Sequence, residues 1–282
     1  MVKKINNRLI SKIILNALKE DIGQGDITTL VTIPKSKIIY GEFLSKESGI
    51  ASGLDIAKRV FELLNKNIEF KIFVKNGDSI KKGQILASIK GKGQVILAGE
   101  RTALNFLQRM SGIATKTRKY VDTVNKTKAI ILDTRKTAPG LRIFDKMAVL
   151  AGSGQNHRSG LFDMFLIKDN HIVASGSITK AFEKIKKINK KILVEIEVKN
   201  LDELKEALNL KPNLIMLDNM NLAQIKKAVK LVNKKVPLEA SGGVNSKNVL
   251  QIAKTGIDYI SVGALTHSVK ALDISLEIKD YE

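Results

Sequence analysis

From Ala129 onward the chain alternates short, nearly continuous apolar runs with amphipathic stretches. The apolar runs are AIILDT (129–134), FDMFLIK (162–168), ILVEIEV (192–198), NLIMLD (213–218), PLEAS (237–241) and IDYISVG (257–263). Between the later ones lie helix-spaced segments: ITKAFEKIKKIN, LDELKEALNL, LAQIKKAVKLVN and SKNVLQIAKTG. Strands apolar on both faces, alternating with helices, belong to a buried parallel sheet. The repeat predicts an α/β architecture, with parallel strands closing towards a barrel. The first hundred residues differ. Short strand-like stretches broken at Asn76-Gly77, Lys82-Gly83, Gly91 and Gly93 read as a separate α+β domain. A long helix is predicted from Val95 to Asn125, with Ser111-Gly112 as a candidate bend. The opening MVKKINNRLISKIILNALKE is an amphipathic helix pattern without the apolar core and cleavage site of a signal peptide.

Composition narrows the class. At 282 residues and 44% apolar, the chain can build one large core or two modest ones. It contains no Cys, which excludes disulfides and thiolate zinc sites and fits a reducing, cytoplasmic setting. No apolar run is long enough to span a membrane. The net charge of +20 raises a nucleic-acid-binding reading, but the lysines are spread over helix faces. Aromatic residues are only 5% and Trp is absent, so no stacking platform is visible. A solvated, Lys-rich surface is the better reading, with no nucleic-acid partner. Arginine is more telling. Only eight of the 48 basic residues are Arg, and six of them lie between Arg101 and Arg158. Arg is the residue for planar, bidentate binding of carboxylate or phosphate.

The predicted strands end on polar or Gly residues, where parallel α/β folds build their sites. Asp133 is followed by Arg135 and Lys136, then by the turn Thr137-Ala138-Pro139-Gly140. His157-Arg158 follows Gly152-Ser153-Gly154, and a lone His is more often structural, but His beside Arg after a Gly turn favours a ligand loop. Lys168 ends a strand as a point charge for an anion, whereas His171 reads as a cap or supporting residue. Glu195 and Glu197 share one side of VEIEV. Glu197 and Asp218 are candidate inward carboxylates, suited either to Mg²⁺ or to opposing positive charge that develops on a sugar. Ser241-Gly242-Gly243 and Val262-Gly263-Ala264 sit where late barrel loops bind phosphate. Arg101 lies on an apolar helix stripe with Leu97 and Leu104, which fits an internal ion pair and a reach across an interface equally well.

The motifs GERTALNFLQRMSGIAT, DTRKTAPGLR, NHRSGLFDMFLIKDNHI, EIEV, IMLDN and EASGGV, in this order, closely resemble the quinolinate phosphoribosyltransferase family. The resemblance runs from Gly99 to Ser268, with GDITT and ESGIASG adding to it upstream. It implies an N-terminal α/β sandwich (1–106), an incomplete α/β barrel (107–268) and a tail (269–282) returning to the first domain. It implies a homodimer, open to higher assembly, in which Arg101 enters the partner's site. It also implies that quinolinate's carboxylates meet Arg101, Arg135, His157, Arg158 and Lys168. Phosphoribosyl pyrophosphate, with Mg²⁺ at Glu197 and Asp218, would meet Thr134, Lys136, Lys168, Glu197, Asp218, Ser241, Gly242, Gly243, Val262, Gly263 and Ala264. Lys136, Glu197 and Asp218 would be the catalytic set. Two positions depart from the family pattern: its triple glycine is Gly152-Ser153-Gly154 here, and its usual Tyr is Met147.

Overall fold

The computed structural model describes residues 7–188 and 191–279. The first six residues of the amphipathic N-terminal pattern, Asn189 of the KKIN segment and the last three residues of the tail lie outside the described residues. In chain order the first elements are α1 (Asn7–Ile22), α2 (Ile27–Thr32), β1 (Ile38–Ser45), β2 (Gly49–Ile50), α3 (Leu54–Leu64), β3 (Glu69–Ile72), β4 (Ser79–Ile80), β5 (Ile85–Lys92) and α4 (Gly93–Val124). Next come β6 (Ile130–Leu132), α5 (Arg142–Ala151), β7 (Phe165–Ile167), α6 (Asp169–Ser175), α7 (Ile178–Ile188), β8 (Val194–Val198) and α8 (Leu201–Leu210). The chain finishes with β9 (Leu214–Asp218), α9 (Leu222–Val232), β10 (Leu238–Ser241), α10 (Val249–Ala253), β11 (Tyr259–Ser261), α11 (Ala264–His267) and β12 (Ile274–Lys279). Among the described residues, no helix is long and apolar enough to cross a membrane.

The residues fall into two compact units. One gathers Met1–Lys116, Ala138–Ser153 and Val269–Glu282, and the other gathers Thr117–Thr137 and Gly154–Ser268. In the first unit an antiparallel sheet runs β12-β1-β5-β3, so the chain's last strand pairs with its first. Phe43, Phe61 and Phe70 from β1, α3 and β3 meet with ring centroids 5.4–6.2 Å apart, tying α3 onto the sheet. Gly112 of α4 is a close-approach glycine: a β-carbon there would lie 2.1 Å from the carbonyl oxygen of Lys270. The segment 138–153 brings α5 into this unit, where Arg109 donates to Asp145 through two 2.8 Å hydrogen bonds and Phe106 packs on Phe144.

The second unit carries a parallel six-stranded sheet in the order β6-β11-β10-β9-β8-β7. The outer edge of β6 is partly covered by a parallel bridge between Leu132 and Gln155. The alternation of apolar runs and helices thus forms a parallel α/β sheet, and it is the open barrel that the family resemblance implies. Ile131, Ile196, Ile215, Leu217, Leu238 and Ile260 fill its core. The strands are shorter than the apolar runs, for local reasons. β10 begins at Leu238, since Pro237 has no N–H to give a ladder, and Leu238's N–H goes to Asp258. β7 begins only at Phe165, because Asp163 is occupied in capping the Ser159-Gly160 turn and Phe162 is exposed.

Candidate active site

The C-terminal ends of these six strands bring most of the predicted residues together. Past β6, Thr134 Oγ1 accepts the Lys136 N–H at 3.1 Å. The Lys136 carbonyl accepts the Thr266 hydroxyl at 2.8 Å, which ties this turn to α11. The aliphatic part of Lys136 also lies against Gly263, where a β-carbon would sit 3.2 Å from it. Val262, Gly263 and Ala264 therefore form a turn beside the ammonium-bearing side chain of Lys136, joined to β6 by the neighbouring β11. On the next strand pair, Ser241 is in register with Asp218, and the Ser241 carbonyl accepts the Asn219 N–H at 2.9 Å. Gly242 and Gly243 both take left-handed φ, +92° and +61°. Their successive backbone groups make a concave loop of the kind that receives anions.

On β8 and β7, Glu197 is almost buried and pairs with Lys168. Arg158 is half-buried and gives one N–H to the Met164 carbonyl. Burial, then the neighbouring Arg135 guanidinium, lower its pKa, while Glu195, Asp163 and Glu197 pull the other way. Arg135 and Arg158 are thus close enough to repel, a cost that a bound dianion relieves. Asp163 holds this loop by accepting the N–H groups of Ser159 and Gly160 at 2.7 and 3.1 Å. Those bonds hold its carboxyl below the usual value, although burial, the largest single influence, works to raise it.

Beneath the rim lies a buried cluster. Asp133, fully buried, accepts the His157 N–H at 2.9 Å. His157 Nε2 is 2.9 Å from Glu195 and 3.4 Å from Glu239, both fully buried. Its Nδ1 accepts the N–H of Arg158 at 2.8 Å. Burial works against a charged ring, but the hydrogen bonds and charges of Glu195 and Glu239 outweigh it and raise the His157 pKa. Burial, followed by Glu239, raises Glu195 as well. A neutral ring that accepts the Arg158 N–H at Nδ1 carries its proton on Nε2, facing the carboxylates, whereas the charged ring that the two glutamates favour would give up this 2.8 Å bond.

The predicted residues are not all gathered in one place. Thr134, Arg135, Lys136, His157, Arg158, Lys168, Glu197, Asp218 and both late Gly loops belong to the barrel unit. Arg101 belongs to the other unit, where it is exposed on α4. His171 Nδ1 accepts the Lys168 N–H at 3.0 Å, so it caps α6. Ser153 takes a left-handed φ of +66°, a conformation that a glycine adopts without strain. Sequence reasoning missed Asn219 and Glu239. Asn219, at φ +54°, donates to Asp218 at 2.9 Å. An Asn directly after a strand-terminal Asp is a legible signal, since Asn is enriched in that region of backbone space. Glu239 gave none, because a Glu inside PLEAS reads as an ordinary strand residue.

A parallel barrel with cations, paired carboxylates and two glycine loops at its C-terminal strand ends defines an enzyme acting on small polyanions. Residues 26–111 match the family model for the quinolinate phosphoribosyl transferase N-terminal domain, and residues 113–277 match the C-terminal domain. The chain belongs to the quinolinate phosphoribosyltransferase family. It is 45% identical over 282 residues to quinolinate phosphoribosyltransferase [decarboxylating] 2b, mitochondrial, of Nicotiana tabacum, covering 93% of this chain and 80% of that one. It is 40% identical to the probable nicotinate-nucleotide pyrophosphorylase [carboxylating] of Bacillus subtilis, covering 97% and 95%. The solved nicotinate-nucleotide pyrophosphorylase of Francisella tularensis superposes with a TM-score of 0.93 at 40% identity, covering 99% of each chain.

Proposed function

We propose that this protein transfers the phosphoribosyl group of phosphoribosyl pyrophosphate to quinolinate with loss of CO₂, giving nicotinate mononucleotide and pyrophosphate for NAD synthesis. The observation that carries this reading is the pairing of opposite charges around one rim. Arg135, Arg158 and Lys168 offer cations for an acceptor with two carboxylates, while Glu197 and Asp218 stand on adjacent strands for the sugar. The C1–O bond of the ribose breaks and its electrons leave with pyrophosphate. Positive charge builds on the sugar, and Glu197 and Asp218 oppose it. The pyridine nitrogen bonds to C1, and the resulting pyridinium draws in the electrons of the adjacent C–CO₂⁻ bond. CO₂ departs and the ring carbon takes a proton. The chain's work is positioning and electrostatics, without a covalent nucleophile. Lys136 and the loops at Gly242-Gly243 and Val262-Gly263-Ala264 receive the phosphates, with Thr134 and Ser241 at their edges.

Glu197 and Asp218 fit Mg²⁺ through hard oxygen donors, with the rest of the coordination left to water and substrate. Among the described residues, neither belongs to a cluster of three protein ligands, which suits an ion shared with a phosphate substrate. When bound, Mg²⁺ neutralises pyrophosphate charge. We further read the protein as a homodimer, with higher assembly left open, in which Arg101 completes the partner's acceptor site. Its exposure within its own chain supports this. The cysteine-free composition supports a cytoplasmic setting.

The test is a turnover assay with quinolinate, phosphoribosyl pyrophosphate and Mg²⁺, using nicotinate as the control acceptor. Nicotinate mononucleotide and CO₂ formed only from quinolinate support the reading. Equal use of nicotinate would remove the two-carboxylate pocket from it.

A further inference from the structure

The cluster of His157, Glu195 and Glu239 is not accounted for by substrate binding. Both glutamates are fully buried, and among the described residues Glu195 Oε1 and Glu239 Oε1 have no hydrogen-bond partner. A buried carboxylate without donors is costly, and an apolar side chain of similar size would pack there without that cost. Both carboxylates face His157 Nε2, at 2.9 and 3.4 Å. That leaves Nδ1, which is taken by the Arg158 N–H at 2.8 Å. Both ring nitrogens are thus engaged by protein, and the imidazole is a strut running from the barrel interior to the backbone of Arg158. Asp133 fixes the same segment from the other side by accepting the His157 N–H.

We propose that Glu195 and Glu239 are positioning residues of the acceptor subsite, setting the ring of His157 and, through it, the guanidinium of Arg158. The proposal rests on the reading that Arg158 binds an acceptor carboxylate. In this scheme the two glutamates act through His157, which in turn holds Arg158. The carboxylates contribute in two ways. Through Nε2 they fix the orientation of the ring, which keeps Nδ1 at 2.8 Å from the Arg158 N–H. Glu195 also lies near the rim where Arg135 repels Arg158, and with Asp163 and Glu197 it offsets that repulsion. The same three side chains have the donor set of a metal site, with ligand atoms within 4.8 Å of one another. The proposal instead treats them as a hydrogen-bonded support, since Nε2 lies at hydrogen-bond distance from Glu195.

The experiment compares Glu195→Gln, Glu239→Gln and Arg158→Ala for KM of quinolinate, KM of phosphoribosyl pyrophosphate and kcat. Each variant is also examined by nitrogen-15 NMR of histidine-labelled full-length protein, in which only three His contribute signals. The expected result is a roughly tenfold or larger rise in quinolinate KM for both Gln variants, with donor KM held within about twofold. The His157 nitrogen signals should shift in both. If Arg158→Ala leaves quinolinate KM unchanged, the acceptor reading itself fails. If Arg158→Ala raises it while both Gln variants match the parent protein in KM and His157 signals, the present proposal fails and the acceptor reading stands. Should a Gln variant not fold, the unmodified protein still decides. A water-shielded Nε2–H on His157 supports the proposal, and a rapidly exchanging ring overturns it. A stoichiometric metal in purified protein, lost in Glu239→Gln, overturns it too.

Discussion

Gly242 and Asn219 are packed so closely that a β-carbon on the glycine would lie 2.1 Å from the Asn219 Oδ1 and 2.9 Å from its backbone nitrogen. The contact joins the loop after β10 to the residue that orients Asp218. Gly242 also stands at φ +92°, so a side chain there is strained as well as crowded. Gly242→Ala should weaken phosphoribosyl pyrophosphate binding by about tenfold or more while the barrel stays folded. Isothermal calorimetry with the donor alone checks it, and unchanged affinity would detach this loop from phosphate binding.

Glu197 pairs with Lys168, one of the proposed acceptor cations. If it opposes charge that exists only as the C1–O bond breaks, its loss lowers turnover and not binding. Glu197→Gln should reduce kcat by about 10²-fold with quinolinate KM little changed. A variant with parental kcat would remove Glu197 from the mechanism.

Ser153 is exposed and occupies the left-handed region at φ +66°, where a side chain is strained and glycine is not. Ser153→Gly should stabilise the protein by about 1 kcal/mol. Thermal unfolding would then shift upward by roughly 2–4 °C. A lower midpoint would mean that the serine side chain makes a contact worth more than the strain.

Arg109 and Asp145 form a two-bond ion pair in which Asp145 is fully buried. Arg109→Ala leaves that carboxylate without its cation, at a cost of roughly 3–5 kcal/mol. Urea unfolding is the measurement, and a loss below about 1 kcal/mol would show that Asp145 finds another donor.

Asp163 ties the turn beside Arg158, and its carboxyl is held below the ordinary value of 3.8. A depressed folded value means that its contribution is present above the unfolded value and is lost as the pH falls through the folded one. The 158–163 loop should therefore keep its amide protection as the pH falls through the ordinary Asp value and lose it only at lower pH. Hydrogen exchange of the Ser159 and Gly160 amides tests this. Asp163→Asn should show the same loss at neutral pH.

The barrel was legible because its strands are apolar on both faces and its helices are not, so two periods distinguish them. The rim was legible because a strand end such as Asp218 or Lys168 interrupts an apolar run with charge. Glu195 could be placed inward by alternation with Glu197. Its pairing with Glu239 could not be foreseen, since the two lie 44 positions apart in sequence and meet only through the stagger of β8 and β10 across the barrel. The grouping of Ala138–Ser153 with the first unit was equally hidden. Phe144 and Asp145 carry no local mark of the partners, Phe106 and Arg109, that they find.

The pairing of β12 with β1 also governs timing. A ribosome delivers β1 (38–45) and β5 (85–92) long before β12 (274–279), yet they share one sheet. The nascent amino-terminal sheet therefore waits with β1 as an open edge while the whole barrel is made. Such a long sequence separation slows closure and leaves a strand edge able to join foreign chains. Shortening the protein from its far end would thus injure the part that was synthesised first.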